Sequence, residues 1–162
     1  VIVPVCKGLS ETRDCLHSVL ADPQRLPGQV IVVNDCSPDP ELVAFLEQLA
    51  QQGKIRLLNN PENLGFVVSV NRGIQAAGQR DVVLLNSDTR VPPGWTLRLA
   101  QQAYSKPRVA SVTPLSNQAT LASWPLWVDQ PTPLPQGFSL EEVDAACQRA
   151  NTGRQYQLPT AH

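Results

Sequence analysis

The 162-residue chain contains no methionine, not even at its start, where Val1 opens inside an apolar run. It stops at Leu158-Pro159-Thr160-Ala161-His162 with no helix stop or tail signal, so both ends read as cuts in a longer polypeptide. An excess of one charge is also missing. The 13 basic and 14 acidic residues leave a net charge of -1, which removes the electrostatic case for a nucleic-acid partner. The four cysteines, Cys6, Cys15, Cys36 and Cys147, form no C-x-x-C pair, and no histidine stands at metal-ligand spacing to them, which argues against zinc. They are expected to be free, buried thiols in a reducing compartment. No apolar stretch approaches the ~20 residues that span a bilayer, and no charged leader precedes a short apolar run. The chain is expected to have no transmembrane segment and to be cytoplasmic, with any membrane association supplied by parts outside it.

What is present describes an ordinary globular domain, with 42% hydrophobic and 17% charged residues. The length suits one domain, spanning 1-162, that buries roughly two thirds of its unfolded surface. Short β-branched runs alternate with segments of helical period, the pattern of an α/β fold with a mostly parallel, open, Rossmann-like sheet flanked by helices. The strands are expected at Val1–Val5, Gln29–Val33, Lys54–Leu58, Asp81–Leu85 and Arg108–Thr113. Their continuous apolar character fits strands covered on both faces.

Leu9, Leu16, Val19 and Leu20 mark a first helix, and Leu42, Phe45, Leu46 and Leu49 a second, with Asp39 as its cap and Pro40 at its first position. A third is expected over Phe66–Ala77, closed by Gly78 in a left-handed cap, and a fourth is opened by Pro92, Pro93 and Gly94. From Pro114 to Gly137 the composition turns to proline, serine, threonine and glutamine, which reads as a long loop with a binding role or as disorder. Ser139 and Glu142 form a capping box for a last helix, Leu140–Ala150. On this reading 1-113 is an α/β core, 114-137 a proline-rich loop, and 138-162 a helix with a truncated end.

In open α/β sheets ligands bind beyond the carboxyl ends of the strands, where strand order reverses. The residues there are Cys6-Lys7-Gly8, Asn34-Asp35-Cys36-Ser37, Asn59-Asn60 with Glu62-Asn63-Leu64-Gly65, and Asn86-Ser87-Asp88. Taken singly, Asp35 and Asp88 read as turn formers as readily as ligand-facing carboxylates. Together they place two carboxylates on one rim. A hard divalent cation accepts one or two carboxylates with phosphate oxygens and water completing its shell, so Asp88 alone suffices for such a site.

Four blocks in order, "VIVPVCKG" at Val1–Gly8, "VIVVNDCSPD" at Val30–Asp39, "NLGFVVSVNRGI" at Asn63–Ile74 and "VVLLNSDTRVPPGW" at Val82–Trp95, resemble glycosyltransferase family 2, of the nucleotide-sugar-binding GT-A fold. The resemblance implies the N-terminal, donor-binding portion of an inverting enzyme of polysaccharide biosynthesis. Such an enzyme moves a sugar from a nucleotide diphosphate-sugar donor to a carbohydrate, lipid-linked or protein acceptor with Mn2+ or Mg2+. It implies that Pro4, Val5 and Cys6 line the base pocket, that Asp35 contacts base or ribose, and that Asn63 and Asn71 lie near the nucleotide. Asn86-Ser87-Asp88 takes the place of the Asp-x-Asp motif, with Asn86 and Ser87 at the nucleotide and Asp88 as metal ligand.

Some positions depart from the family pattern: Cys6 where a tyrosine is frequent, Lys7 where asparagine is, Val70 in place of an arginine, and Asn86 in place of the first aspartate. The general base of an inverting enzyme is expected beyond His162, because Glu141, Glu142 and Asp144 suit a solvated helix face. His17 reads as a surface or packing residue, and Trp124 and Trp127 as sugar-stacking or loop-anchoring aromatics. Two other readings stand beside the enzyme. One is a non-catalytic module that binds a nucleotide or a partner; the other is a nucleotidyltransferase, disfavoured because no glycine-rich triphosphate loop with a basic residue follows the first strand.

Overall fold

The structure is a computed structural model that describes residues 1–23, 30–119, 122–123 and 133–151. Two compact units divide the chain, Val1–Leu97 and Arg98–His162.

The first unit is built on a parallel sheet of β1 (Ile2–Val5), β2 (Ile31–Asn34) and β3 (Arg56–Asn59), in that order. Between the strands run α1 (Leu9–Ala21), α2 (Pro40–Gln51) and α3 (Gly65–Ala77). Ile2, Val3, Val5 and all of Ile31, Val32 and Val33 are buried, as strands covered on both faces require. On one face Ile2, Ile31 and Val33 meet Ala77 of α3, with Leu58, Ala76 and Val82 around them. The helix can approach this closely because Gly73 faces β1: a Cβ there would stand 2.5 Å from Ile2 Cγ2. Asp39 caps α2 as expected, accepting the N–H groups of Glu41 at 3.0 Å and Leu42 at 3.3 Å.

The fourth expected strand shrinks to a single parallel bridge, Ile2 to Leu84. Val1 and Val5 turn their backbone carbonyls to β2, bonding Ile31 and Asp35, so Ile2 and Pro4 face the other way. Ile2 makes both of its bonds there, to Val83 O at 2.8 Å and from Leu85 N at 3.0 Å. Pro4 has no N–H to give, so the ladder cannot continue. Residues 83–85 therefore lie on the side of β1 opposite β2, and the order across the first unit is β3-β2-β1 followed by this segment.

Gly78 ends α3 differently from expectation. Its φ of 70° is paired with ψ of -133°, outside the left-handed helical region and accessible only to glycine.

In the second unit the expected strand at Arg108–Thr113 does not form. Arg108 has φ 64°, which breaks extended backbone, and the residues after it are largely exposed, with no ladder partner among the described residues. α4 spans Trp95–Ala103 across the boundary of the units, and α5 spans Leu140–Ala150. The capping box of α5 is complete: Ser139 N–H donates to Glu142 Oε2 at 2.8 Å, and Glu142 N–H to Ser139 Oγ at 3.2 Å. Within the proline-rich stretch a bridge joins Ser116 and Ser123. Trp124 and Trp127 lie outside the described residues, as do the last residues through His162.

Candidate functional site

Strand order reverses beside β1, since β2 and β3 follow it on one side and residues 83–85 return on the other. A parallel sheet splays its connections apart at such a point and leaves a crevice beyond the carboxyl ends. Here the crevice has a volume of about 770 Å³. Pro4, Val5 and Cys6 from the end of β1, Asp35 from the end of β2, and Asn86, Ser87 and Asp88 after the bridge segment line it. Sequence reasoning named all seven.

Asp35 is 4% exposed and anchors the local structure. Its Oδ1 accepts Asn60 Nδ2 at 2.7 Å and Leu64 N–H at 2.8 Å, and its Oδ2 accepts Gly65 N–H at 2.8 Å. The carboxylate thus caps α3 from a neighbouring strand, where a helix start that lacks its own side-chain cap offers unpaired N–H groups. Burial pushes its pKa up, but the bonds from Asn60, Leu64, Gly65 and Ser69 outweigh burial and hold it below the usual carboxylate value. Around it runs a polar network. Asn60 Nδ2 also reaches Ser69 Oγ at 2.9 Å, Arg72 bonds Asn60 Oδ1 and Asn59 O, and Asn34 Nδ2 bonds Asn59 Oδ1 at 3.0 Å.

Asn63 lies at the crevice edge through its amide, which donates to Cys6 Sγ at 3.2 Å, although it is not a lining residue. Asn71 is exposed on α3 and is not among the lining residues either. Five further residues line the crevice that were not assigned to a site from sequence: Lys7, Gly8, Glu11, Phe66 and Ser69. The signal for Lys7 and Gly8 was their place directly after β1, and for Phe66 and Ser69 their spacing of three on the first turn of α3.

Asn86, Ser87 and Asp88 form a turn closed by Thr89 N–H to Asn86 O at 3.2 Å. Asn86 and Asp88 are exposed, with Ser87 half-buried. Beneath the turn sits Cys15, fully buried on α1, with its thiol 3.5 Å from Asn86 O. Burial pushes this thiol up to about 12, the Thr89 N–H opposes the rise and the Asp88 charge adds to it, so the sulfur stays protonated and able to donate. The expectation of four buried thiols holds for Cys15 alone: Cys6 and Cys147 are half-buried and Cys36 is exposed, with φ 52°. All four are free.

Among the described residues no three His, Cys, Asp or Glu side chains gather into a metal cage. The donor set at the turn is an exposed carboxylate beside a hydroxyl and an amide, all hard oxygen donors, which fits a cation that draws its other ligands from phosphate and water. Elsewhere, His17 packs edge-on against Phe45 with centroids 6.0 Å apart. In the second unit Asp144 is not merely solvated: it pairs with Arg98 at 2.9 Å and accepts Gln148 Nε2 at 2.6 Å. Among the described residues no helix is long and apolar enough to cross a membrane.

Several solved structures share this fold. S. aureus TarS is similar at 22% identity and a TM-score of 0.53, over 64% of this chain and 19% of that one. The 1-349 portion of TarS in complex with UDP-GlcNAc is similar at 22% identity and a TM-score of 0.54, over 64% of this chain and 30% of that one. GalNAc-T7 with UDP, GalNAc and Mn2+ is similar at 20% identity and a TM-score of 0.54, over 63% of this chain and 20% of that one. The chain thus spans less than a third of each of these structures, and at such identity the likeness establishes the GT-A fold. No curated protein sequence matches it. The family described as Glycosyl transferase family 2 matches residues 1–150, and with nearly the whole chain inside that match, the protein belongs to glycosyltransferase family 2.

Proposed function

We propose that the chain is the donor-binding part of an inverting glycosyltransferase. On this reading it holds a nucleotide diphosphate-sugar in the crevice, for transfer to a hydroxyl of a carbohydrate, lipid-linked or protein acceptor. The observation that carries the reading is the convergence of Asn86, Ser87 and Asp88 with the end of β1 and with Asp35, beside β1 where the order of strands reverses. Pro4 and Val5 give the base an apolar wall, with Cys6 held in place by Asn63. Asp35 keeps a negative charge at the floor, although protein donors already occupy both its oxygens. Asn86 and Ser87 offer an amide and a hydroxyl to the ribose, and Asp88 is the metal ligand.

When bound, Mn2+ or Mg2+ acts as a Lewis acid that offsets charge on the leaving diphosphate. Asn71, exposed on α3, has no part in this reading. Glu142 is engaged in its capping box and Asp144 with Arg98, so neither is assigned as general base. GalNAc-T7 was solved with UDP and Mn2+, and TarS with UDP-GlcNAc, which makes UDP and Mn2+ the first probes.

Calorimetry of the intact protein with UDP, with and without Mn2+, tests the site. Mn2+ is expected to strengthen UDP binding, and Asp88→Ala to remove that increment, about tenfold or more, by deleting the carboxylate. Equal UDP affinity with and without Mn2+ in the unaltered protein would sink the metal role. UDP binding with no sugar transfer by the intact protein would instead favour the non-catalytic module.

A further inference from the structure

Cys15, Ser18 and Asp22 stand at i, i+3 and i+7 along α1 and its end, and so share one side of the helix. Each bonds the backbone of the segment that leaves the sheet after Leu85. The Cys15 thiol donates to Asn86 O at 3.5 Å. Ser18 Oγ accepts Val91 N–H at 3.2 Å while its own hydroxyl donates to Cys15 O at 2.8 Å, which fixes the direction of its lone pairs. Asp22 Oδ1 accepts Gly94 N–H at 2.9 Å in a buried setting.

The contacts advance along helix and segment together. From Cys15 to Asp22 the helix rises about 10 Å, whereas an extended chain from Asn86 to Gly94 would cover about 26 Å. The segment is therefore folded onto a ruler much shorter than its own reach. The sheet ladder stops at Pro4, and Pro92 and Pro93 carry no N–H, so no strand ladder could run unbroken along the segment.

Asp88 lies between the Cys15 and Ser18 anchors. We propose that Cys15 and Ser18, with Asp22 at the far end, are positioning residues. In this role α1 replaces the missing strand ladder and sets where the Asp88 carboxylate stands relative to the crevice. The inference rests on the reading of Asp88 as metal ligand, because the geometry it sets is the one a metal-bridged diphosphate would use.

The test compares Cys15→Ala and Ser18→Ala with the unaltered intact protein, by UDP calorimetry with and without Mn2+ and by amide hydrogen exchange. Losing one of these bonds is expected to reduce the Mn2+-dependent gain in UDP affinity about 3- to 10-fold, leave the Mn2+-free affinity within about twofold, and speed exchange at Thr89 and Val91. Ser18→Thr, which keeps the hydroxyl, should restore the gain. Val19→Ala removes buried apolar volume from the same helix and should lower Tm without touching the gain. The proposal is overturned if both alanine variants keep the full gain, or if Val19→Ala reduces it as much as Ser18→Ala does. Should the unaltered protein show no Mn2+ gain, the metal reading fails by itself and exchange decides the positioning role. Faster exchange at Val91 in Ser18→Ala but not in Val19→Ala supports that role, and unchanged exchange overturns it.

Discussion

Asp35 illustrates how one side chain can be legible in kind and hidden in use. Its place after β2 marks it as a rim carboxylate from sequence alone. The donors that fill it come from Asn60, Leu64, Gly65 and Ser69, and only the parallel pairing of β2 with β3 brings them near. A carboxylate has room for about four such bonds, so Asp35 is close to saturated by the protein itself. Asp35→Asn would turn an amide N–H toward at least one of these donors, and it is expected to lower stability by about 2–3 kcal/mol in urea denaturation at pH 7. The pH dependence has a definite sign. Because the folded pKa is depressed, the carboxylate's contribution is fully present above the unfolded value of about 3.9 and is lost as pH falls through the folded value. The gap between the unaltered protein and Asp35→Asn should therefore hold steady from pH 7 to about 5 and narrow below about 4. A gap that stays constant down to pH 3 would mean that the ionised carboxylate is not what stabilises the α3 start.

At the level of elements, the local signals were strong where the structure is local. Asp39 with Pro40, and Ser139 with Glu142, marked two helix starts correctly, because a cap and the N–H groups it serves are within a few residues of each other. Asp39→Ala should cost about 1 kcal/mol of stability, and Asp39→Asn, which keeps an acceptor at the same place, should recover most of it in thermal or urea unfolding. Equal losses for the two variants would mean that the bonds to Glu41 and Leu42 N–H do not carry the effect. Strands were harder, since an apolar run states that a segment can pair and not what it will pair with. Val82–Leu85 had the composition of a strand, yet its ladder depends on Pro4, eighty residues away, which withholds the N–H that a second rung needs. Arg108–Thr113 had the apolar run of a strand, but its first residue sits at positive φ and among the described residues it pairs with no strand.

For the whole molecule, what matters is that every residue lining the crevice belongs to Val1–Leu97. The sequence made this rim readable because a parallel α/β sheet delivers the end of each strand to the same side. What the sequence did not carry was the α1 bonding that holds the Asn86–Gly94 path, since a serine and a cysteine on a helix have no marked pattern. Ligand linkage gives a measurement at this scale. UDP with Mn2+ at about a hundred times Kd stabilises the folded state by about 2.7 kcal/mol, which should raise Tm by roughly 5–10 °C. Arg98→Ala is the matched control. It breaks the 2.9 Å pair with Asp144 in the other unit, a partly exposed contact worth about 0.5 kcal/mol after solvent screening. The variant should start from a slightly lower Tm, show the same rise with UDP and Mn2+, and keep the same Kd, whereas Asp88→Ala should keep the starting Tm and lose about half of the rise or more. If Arg98→Ala weakened UDP as much as Asp88→Ala, the donor site would not be confined to the first unit and its assignment to the β1 crevice would be wrong.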